Sequence, residues 1–171
     1  LDIDNILIQP INDKNHATTV FYGDEMGVNG DFEHATPFTG WTNIETPTTS
    51  EVNTSTVRNG TNSWKLIGDA ENDGIYQNIA DQVAGRQYYS EVYVYITAGA
   101  VKLDVNGVAL GNTATTGSWV KLSGTTTFAS NATFTIRQHG STAATWFVDD
   151  CSHKEVGVAS GWTDADQQLH I

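Results

Sequence analysis

The stretch that decides the fold class is Tyr-Tyr-Ser-Glu-Val-Tyr-Val-Tyr-Ile-Thr, residues 88–97. The residues at its even positions are Tyr88, Ser90, Val92, Val94 and Ile96, and those at its odd positions are Tyr89, Glu91, Tyr93 and Tyr95. Successive side chains of a β-strand point to opposite faces of its sheet. The alternation therefore predicts a strand whose aliphatic side faces a core and whose other side presents three tyrosines and one carboxylate.

Segments with the same period of two occupy much of the remaining chain. They lie at residues 54–58, 63–67, 74–79, 101–106, 108–110, 119–127, 133–139 and 146–153. The dipeptide Asn106-Gly107 between two of these segments is a strong signature of a β-hairpin. Helical periodicity is nearly absent, and its one weak candidate, residues 78–84, is too short to be convincing. Short strands separated by glycine and asparagine turns predict an all-β domain, either a sandwich or a barrel.

The composition excludes two kinds of partner. The chain has 171 residues and a formal net charge of −12, from 20 acidic and 8 basic side chains. Nucleic acids and anionic membrane surfaces are both bound through clustered lysine and arginine, so neither is expected as a partner.

Cys151 is the only cysteine, so no internal disulfide can form. The low share of charged residues, 16%, is typical of an extracellular β protein or a virion protein.

The chain divides into three segments. Residues 1–28 form a predicted N-terminal extended arm that carries several isoleucines, residues 29–156 form the body, and residues 157–171 form a C-terminal tail. Terminal segments fray unless something holds them. We therefore expect the arm and the tail to dock on the body or on neighbouring protein subunits.

Six phrases of the body occur in a fixed order. They are Asn29-Gly30-Asp31-Phe32-Glu33 with Gly40-Trp41, Gly60-Thr61-Asn62-Ser63-Trp64-Lys65-Leu66, Ile75-Tyr76-Gln77-Asn78-Ile79, Tyr88-Tyr89-Ser90-Glu91-Val92, Gly117-Ser118-Trp119 and Trp146-Phe147-Val148-Asp149-Asp150-Cys151. Together they resemble the family 4/9/22 group of carbohydrate-binding modules. The resemblance implies a two-sheet antiparallel β-sandwich with jelly-roll topology and a non-catalytic role in binding sugar. The same sandwich is also used by phage and adhesion proteins.

The resemblance also implies a structural Ca²⁺ ion. Its ligands would be the carboxylates of Glu33 and Asp149, with the backbone carbonyl of Lys65 or a neighbour. Asp149 shares a strand face with Phe147 and Cys151, which we expect to point inward, and an inward carboxylate needs a partner. The alternative is that Asp149 only accepts hydrogen bonds from backbone N–H groups.

The strand at residues 88–97 supplies the candidate ligand surface. Its odd-numbered side chains, Tyr89, Glu91, Tyr93 and Tyr95, combine flat apolar rings with a group that can bond hydroxyls. Arg137 and His139 would line the same groove if their strand belongs to the same sheet. Two alternatives remain: tyrosine suits any half-exposed strand, and the arm could cover this face.

Motifs of common enzyme classes are absent from the sequence, which contains no HExxH, GxSxG, P-loop or GxGxxG pattern. We therefore expect a binding protein rather than an enzyme. One hypothesis is a module that recognises a neutral glycan and works outside the cell, either secreted or on the cell surface. The other is a structural protein of a virion surface, such as a capsid decoration or tail component, that uses the same sandwich for assembly or host adhesion.

Overall fold

The computed structural model describes residues 22–127 and 132–157, which form eleven β-strands. The strands are β1 (Tyr22–Glu25), β2 (Thr42–Ile44), β3 (Thr49–Asn53), β4 (Ser63–Gly68), β5 (Gly74–Ile79), β6 (Gln87–Ala98), β7 (Val101–Val105), β8 (Val108–Thr113), β9 (Trp119–Thr127), β10 (Ala132–Gln138) and β11 (Ala144–Val156). Within these residues no helix is long and apolar enough to cross a membrane.

The strands form two antiparallel sheets. Sheet A has the order β3-β4-β11-β6-β9, with β1 paired to the end of β11, and sheet B has the order β2-β5-β10-β7-β8. From β4 onward the chain changes sheet at almost every connection, as it does in a jelly roll. The predicted all-β, two-sheet antiparallel sandwich is confirmed.

The core fills the space between the two sheets, and β6 shows how the sequence creates it. Val92, Val94 and Ile96 of β6 are fully buried, while the tyrosines at the odd positions are only half-buried. Ile136 of β10 and Trp146 of β11 are also fully buried in the same cluster. The predicted alternation of residues 88–97 is therefore confirmed, and its tyrosines lie on the outer face of sheet A.

The later strand predictions match the structure better than the early ones. The segments predicted at residues 74–79 and 119–127 coincide with β5 and β9, and Asn106-Gly107 joins β7 to β8 with positive φ angles of 51° and 83°. The prediction of a strand at residues 54–58 is wrong, because that segment is a loop after β3. No helix forms at residues 78–84, where β5 ends and a turn begins.

The predicted boundary between arm and body also needs correction. β1 falls within residues 1–28, yet Tyr22 pairs with Val156 and Glu25 with Lys154, so the sandwich already includes this part of the chain. Residues 1–21 and 158–171 lie outside the described residues, and the predictions for docking of the arm and the tail stay predictions.

Candidate functional site

The candidate site lies on the outer face of sheet A, beside the middle of β11. On one edge of β11, β4 pairs with residues 144–148 and β1 pairs with the far end. Between them, loops contact the strand: Cys151 N donates to Gly30 O at 2.9 Å, and Met26 N donates to His153 O at 3.0 Å. The gap between β1 and β4 leaves room for a concave surface.

A β-bulge shapes this part of β11. Asp149 lies opposite Tyr93 and Ser152 lies opposite Glu91, so three residue steps of β11 match two of β6. Asp150, within the bulge, has a φ of 48°, a left-handed conformation that is uncommon outside glycine. The extra residue turns the side chains that follow it to the other face.

The prediction that Phe147, Asp149 and Cys151 share an inward face is wrong, because Phe147 and Asp149 lie on the outer face and the bulge separates them from Cys151. Asp149 pairs with the outward Tyr93, and the Phe147 ring contacts that of the outward Tyr95, with centroids 6.1 Å apart. Cys151, which follows the bulge, packs against the core instead. Burial, together with the nearby charge of Asp149, raises the pKa of the Cys151 thiol well above its ordinary value.

Asp149 is nevertheless fully buried, because the loop after β3 covers it. Its Oδ2 accepts hydrogen bonds from the backbone N–H groups of Arg58 at 2.9 Å and Asn59 at 3.2 Å, and its Oδ1 accepts one from Asp150 at 2.8 Å. Burial raises the pKa of Asp149 to about 6, although these hydrogen bonds act in the opposite direction.

Glu33 anchors the same loop from the other side. Its Oε1 accepts the backbone N–H groups of Thr61 at 2.6 Å and Asn62 at 2.7 Å, and its Oε2 accepts the Thr61 hydroxyl at 2.6 Å. The hydrogen bonds from Thr61, followed by those from Asn62, lower the pKa of Glu33.

This arrangement does not fit a calcium ion between Glu33 and Asp149. A calcium site requires oxygen ligands, including carbonyl groups, whereas the loop turns N–H donors toward both carboxylates. Lys65 lies in β4 opposite Phe147, and its ammonium group pairs with Glu51 at 3.0 Å. The described part of the chain also contains no cluster of three or more His, Cys, Asp or Glu side chains suited to a metal. Calcium binding stays a prediction that would require the loop to rearrange.

Arg58 covers the central tyrosine of the outer face. The carbon at the centre of its guanidinium lies 3.4 Å from the centroid of the Tyr93 ring, which is a cation–π contact. Its Nη1 donates to Asp150 Oδ2 in an ion pair. Arg58 is therefore held by a ring below it and a carboxylate beside it, at the edge of the gap in sheet A.

Near the start of β6, the outer face of sheet A also carries polar and aromatic side chains. Tyr89 Oη donates to Glu91 Oε2 at 2.9 Å, and Lys121 Nζ lies 3.4 Å from both oxygens. These contacts, the one with Tyr89 first, raise the pKa of Lys121. The Tyr22 ring lies against Tyr89 with centroids 5.2 Å apart.

Two adjoining cavities run along this surface and form what we call the trough. The larger, of about 480 Å³, has Arg58, Asn59 and Tyr93 in its walls, and the smaller, of about 250 Å³, has Tyr22, Tyr89 and Lys121. Glu91, Ser152 and Lys154 line both. Among the predicted residues, the trough thus contains Tyr89, Glu91 and Tyr93.

Three of the predicted residues do not line the trough. They are Tyr95, Arg137 and His139. Tyr95 packs edge-on against Trp119 at the far end of β6, with centroids 5.7 Å apart. The expectation that Arg137 and His139 line the same groove is wrong, because β10 belongs to sheet B and the sandwich core separates them from β6. Arg137 Nη2 instead pairs with Asp104 Oδ2 at 2.9 Å, and His139 follows β10.

Several residues of the trough were not predicted from the sequence. Arg58 and Asn59 come from a loop that was predicted to be a strand, and Asp150 faces the trough because of the bulge. Glu25 and Tyr22 come from the segment assigned to the arm. The one available signal was Asn59-Gly60, a turn dipeptide that argues against a strand through Arg58.

Comparison with known proteins supports the fold. The sequence matches no protein-family model and no curated protein. The xylan-binding domain of family 22 from Paenibacillus barcinonensis matches with a TM-score of 0.60 at 21% identity, over 80% of this chain and 97% of that chain. A family 61 carbohydrate-binding module solved with β-1,4-galactotriose gives a TM-score of 0.59 at 16% identity, over 77% of this chain and 98% of that one.

A phage protein has a similar fold. The enzymatically active domain of tailspike protein 4 from Bacteriophage CBA120 matches with a TM-score of 0.59 at 14% identity, over 77% of this chain but only 21% of the tailspike chain. At these identities the matches establish the fold. The chain has the sandwich fold of carbohydrate-binding modules, and the resemblance seen in the sequence is confirmed at that level.

Proposed function

We propose that this chain is a non-catalytic module that binds a neutral glycan in the trough on sheet A. The observation that carries the proposal is the larger cavity, in which an aromatic ring, an arginine, an asparagine and carboxylates converge within about 480 Å³. Concave sites of this kind combine apolar surface with a few polar groups that fix a ligand's orientation.

The chemistry of the walls suits sugar hydroxyls, which both donate and accept hydrogen bonds. Glu91 and Asp150 supply acceptors, and Arg58 and Lys154 supply donors. Water competes for each of these bonds, so the net gain per bond is small. We expect a dissociation constant in the range of about micromolar to millimolar, which corresponds to a binding free energy of about −8 to −4 kcal/mol.

Charge favours a neutral ligand. The net charge of −12 repels polyanions at a distance, and salt weakens that repulsion beyond a Debye length. The larger cavity itself has four carboxylates, those of Glu25, Asp31, Glu91 and Asp150, against the two cations Arg58 and Lys154. An anionic polysaccharide should therefore be a poor ligand.

The setting of such a module would be extracellular or the surface of a virion, as its composition suggests. Contacts with neighbouring subunits through residues 1–28 or 157–171 are part of the same proposal. A purely structural virion role is the alternative, and it predicts that no glycan is bound.

Affinity electrophoresis tests the proposal. The wild type would be run in gels that contain xylan, β-1,4-galactan, hydroxyethyl cellulose or, as an anionic control, polygalacturonate. We expect retention by at least one neutral polysaccharide and none by polygalacturonate. Tyr93→Ala should lose the retention, because Tyr93 supports the wall of the larger cavity. Arg137→Ala changes the opposite sheet and should keep it.

Each other outcome has a definite meaning. Loss of retention in Arg137→Ala, with retention kept in Tyr93→Ala, would move the glycan to sheet B and refute the trough as its site. Absence of retention across the neutral polysaccharides, extended by a glycan array, would favour the structural role. Thermal melting of both variants checks that they are folded.

A further inference from the structure

We propose that Arg58 is the specificity-determining residue of the trough and that Tyr93 acts by holding it. This inference rests on the proposed function. It changes the role of the central tyrosine, since the sugar is recognised by the guanidinium rather than by the ring beneath it.

Arg58 occupies one face of the Tyr93 ring. With the guanidinium carbon 3.4 Å from the centroid of Tyr93, one face of the ring is in van der Waals contact with Arg58. No sugar ring fits between two groups at that distance. A ligand in the larger cavity, which both residues line, therefore meets Arg58 on this side of Tyr93.

Arg58 is held firmly in place before any ligand binds. Its backbone N–H donates to the buried carboxylate of Asp149 at 2.9 Å, its Nη1 pairs with Asp150, and its planar group rests on Tyr93. A side chain fixed at two points on an anchored backbone loses little conformational freedom when a ligand binds, so more of each new hydrogen bond appears as affinity.

Arg58 keeps hydrogen-bond donors that a ligand can use. A guanidinium has five N–H groups in a rigid fork. Among the contacts of the described residues, only Nη1 has a protein acceptor, and the side chain keeps 33% of its surface exposed. The free edge of the fork can donate in parallel to two adjacent oxygen atoms, a geometry that vicinal hydroxyls of a sugar ring provide.

The carboxylates around Arg58 determine which charge of ligand it can accept. Asp150 neutralises Arg58, and Asp31 and Glu91 line the same cavity. The carboxylates disfavour an anionic ligand, so the fork is suited to hydroxyl oxygens rather than to a carboxylate or a sulfate. The ligand class is therefore a neutral glycan that presents a pair of adjacent hydroxyls to Arg58.

A double-mutant cycle on the polysaccharide that retains the wild type tests this assignment. We expect Arg58→Ala to weaken binding about tenfold or more, as the loss of hydrogen bonds from a charged donor does. Arg58→Lys should not restore it, because an ammonium keeps the charge but lacks the fork. The double variant Arg58→Ala with Tyr93→Ala should bind no worse than Arg58→Ala, because Tyr93 acts through Arg58.

Two further variants separate this role from a merely structural one. Tyr93→Phe keeps the ring under Arg58 and should restore most of the binding that Tyr93→Ala loses. Arg86→Ala removes another surface arginine, which is paired with Glu155, and should bind as the wild type does. Melting temperatures of all variants are measured alongside.

The results can overturn the inference without touching the proposed function. If Arg58→Ala binds as tightly as the wild type or more tightly, while Tyr93→Ala loses binding, the sugar stacks on the ring and Arg58 is at most its competitor. Additive losses in the double variant would also refute a shared role. If the wild type itself binds no neutral polysaccharide, the proposed function fails first.

Discussion

Two buried groups of β11, Asp149 and His153, respond to pH in opposite directions. Burial raises the pKa of Asp149 to about 6 and lowers the pKa of His153 to about 4. The folded protein thus holds a proton on Asp149 at a pH where the unfolded chain, with an ordinary value of 3.8, has released it. The unfolded chain in turn protonates His153 below its ordinary value of 6.5, while the folded protein resists this.

These shifts predict compensating effects on stability. The Asp149 contribution is present below pH 3.8 and is lost as pH rises through about 6. The His153 contribution is present above pH 6.5 and is lost as pH falls toward about 4. Relative to the wild type, Asp149→Asn should therefore lose stability as pH falls from 6.5 to 4, and His153→Gln should lose it as pH rises from 4 to 6.

Urea unfolding of the three proteins between pH 4 and pH 7 measures this difference directly. Comparison with the wild type cancels the contributions of the other carboxylates. Parallel curves for all three proteins would mean that neither group titrates as its burial implies.

Calcium binding by Glu33 and Asp149 would make the stability of the folded protein depend on calcium. An ion that binds only the folded protein stabilises it by about 2.7 kcal/mol at a hundredfold excess over its dissociation constant. If calcium binds, EDTA should lower the melting temperature of the wild type and leave that of Asp149→Ala unchanged. Equal melting of the wild type with and without EDTA would leave the N–H donors of the loop as the partners of both carboxylates.

At the scale of elements, the loop at residues 26–33 packs so closely on β11 that Gly30 leaves no room for a side chain. A Cβ atom on Gly30 would lie 2.0 Å from the backbone oxygen of Cys151. One on Gly27 would meet only side-chain atoms, Glu25 Oε1 at 3.1 Å and Gln77 Oε1 at 3.4 Å. Gly30→Ala should therefore force the loop off β11 and cost about 1–3 kcal/mol. Gly27→Ala is the matched control and should melt close to the wild type.

Gly30→Ala should also open the trough, because the loop at residues 26–33 forms one of its walls. Thermal melting and retention in affinity electrophoresis are the two measurements. A Gly30→Ala protein that melts as the wild type does would show that the loop can shift without leaving the strand.

The sequence predicted elements well where the period of two was unbroken. β6 alternates cleanly over its length, and the turn residues around β5, β7 and β9 bound them closely. β1, β2 and β3 were missed because they are short, polar edge strands with little apolar surface to bury. The bulge of β11 was not predicted because Asp149-Asp150 carries no sequence signal for it. Its one extra residue reverses the faces of the residues that follow.

At the scale of the whole molecule, the candidate site was predictable only where it lies on a single strand. Tyr89, Glu91 and Tyr93 share a face through local alternation, which a sequence shows. Whether Arg137 joins them depends on the sheet to which β10 pairs, and that is a long-range choice. Arg58 reaches the trough only because a loop distant in sequence is anchored on Asp149.

The trough is built from parts of the chain that are far apart in sequence. The Arg58–Asp149 hydrogen bond spans 91 residues, and the one between Glu25 and the His153 backbone spans 128. Contacts of such sequence separation form slowly, because the loop they close must lose its entropy first. The strands alone therefore do not make the site, because the loop that carries Arg58 must also be anchored on Asp149. Residues of β1 and β11 both line the trough. If the proposed glycan binds there, we expect it to hold these two strands together and to slow the opening of the sandwich.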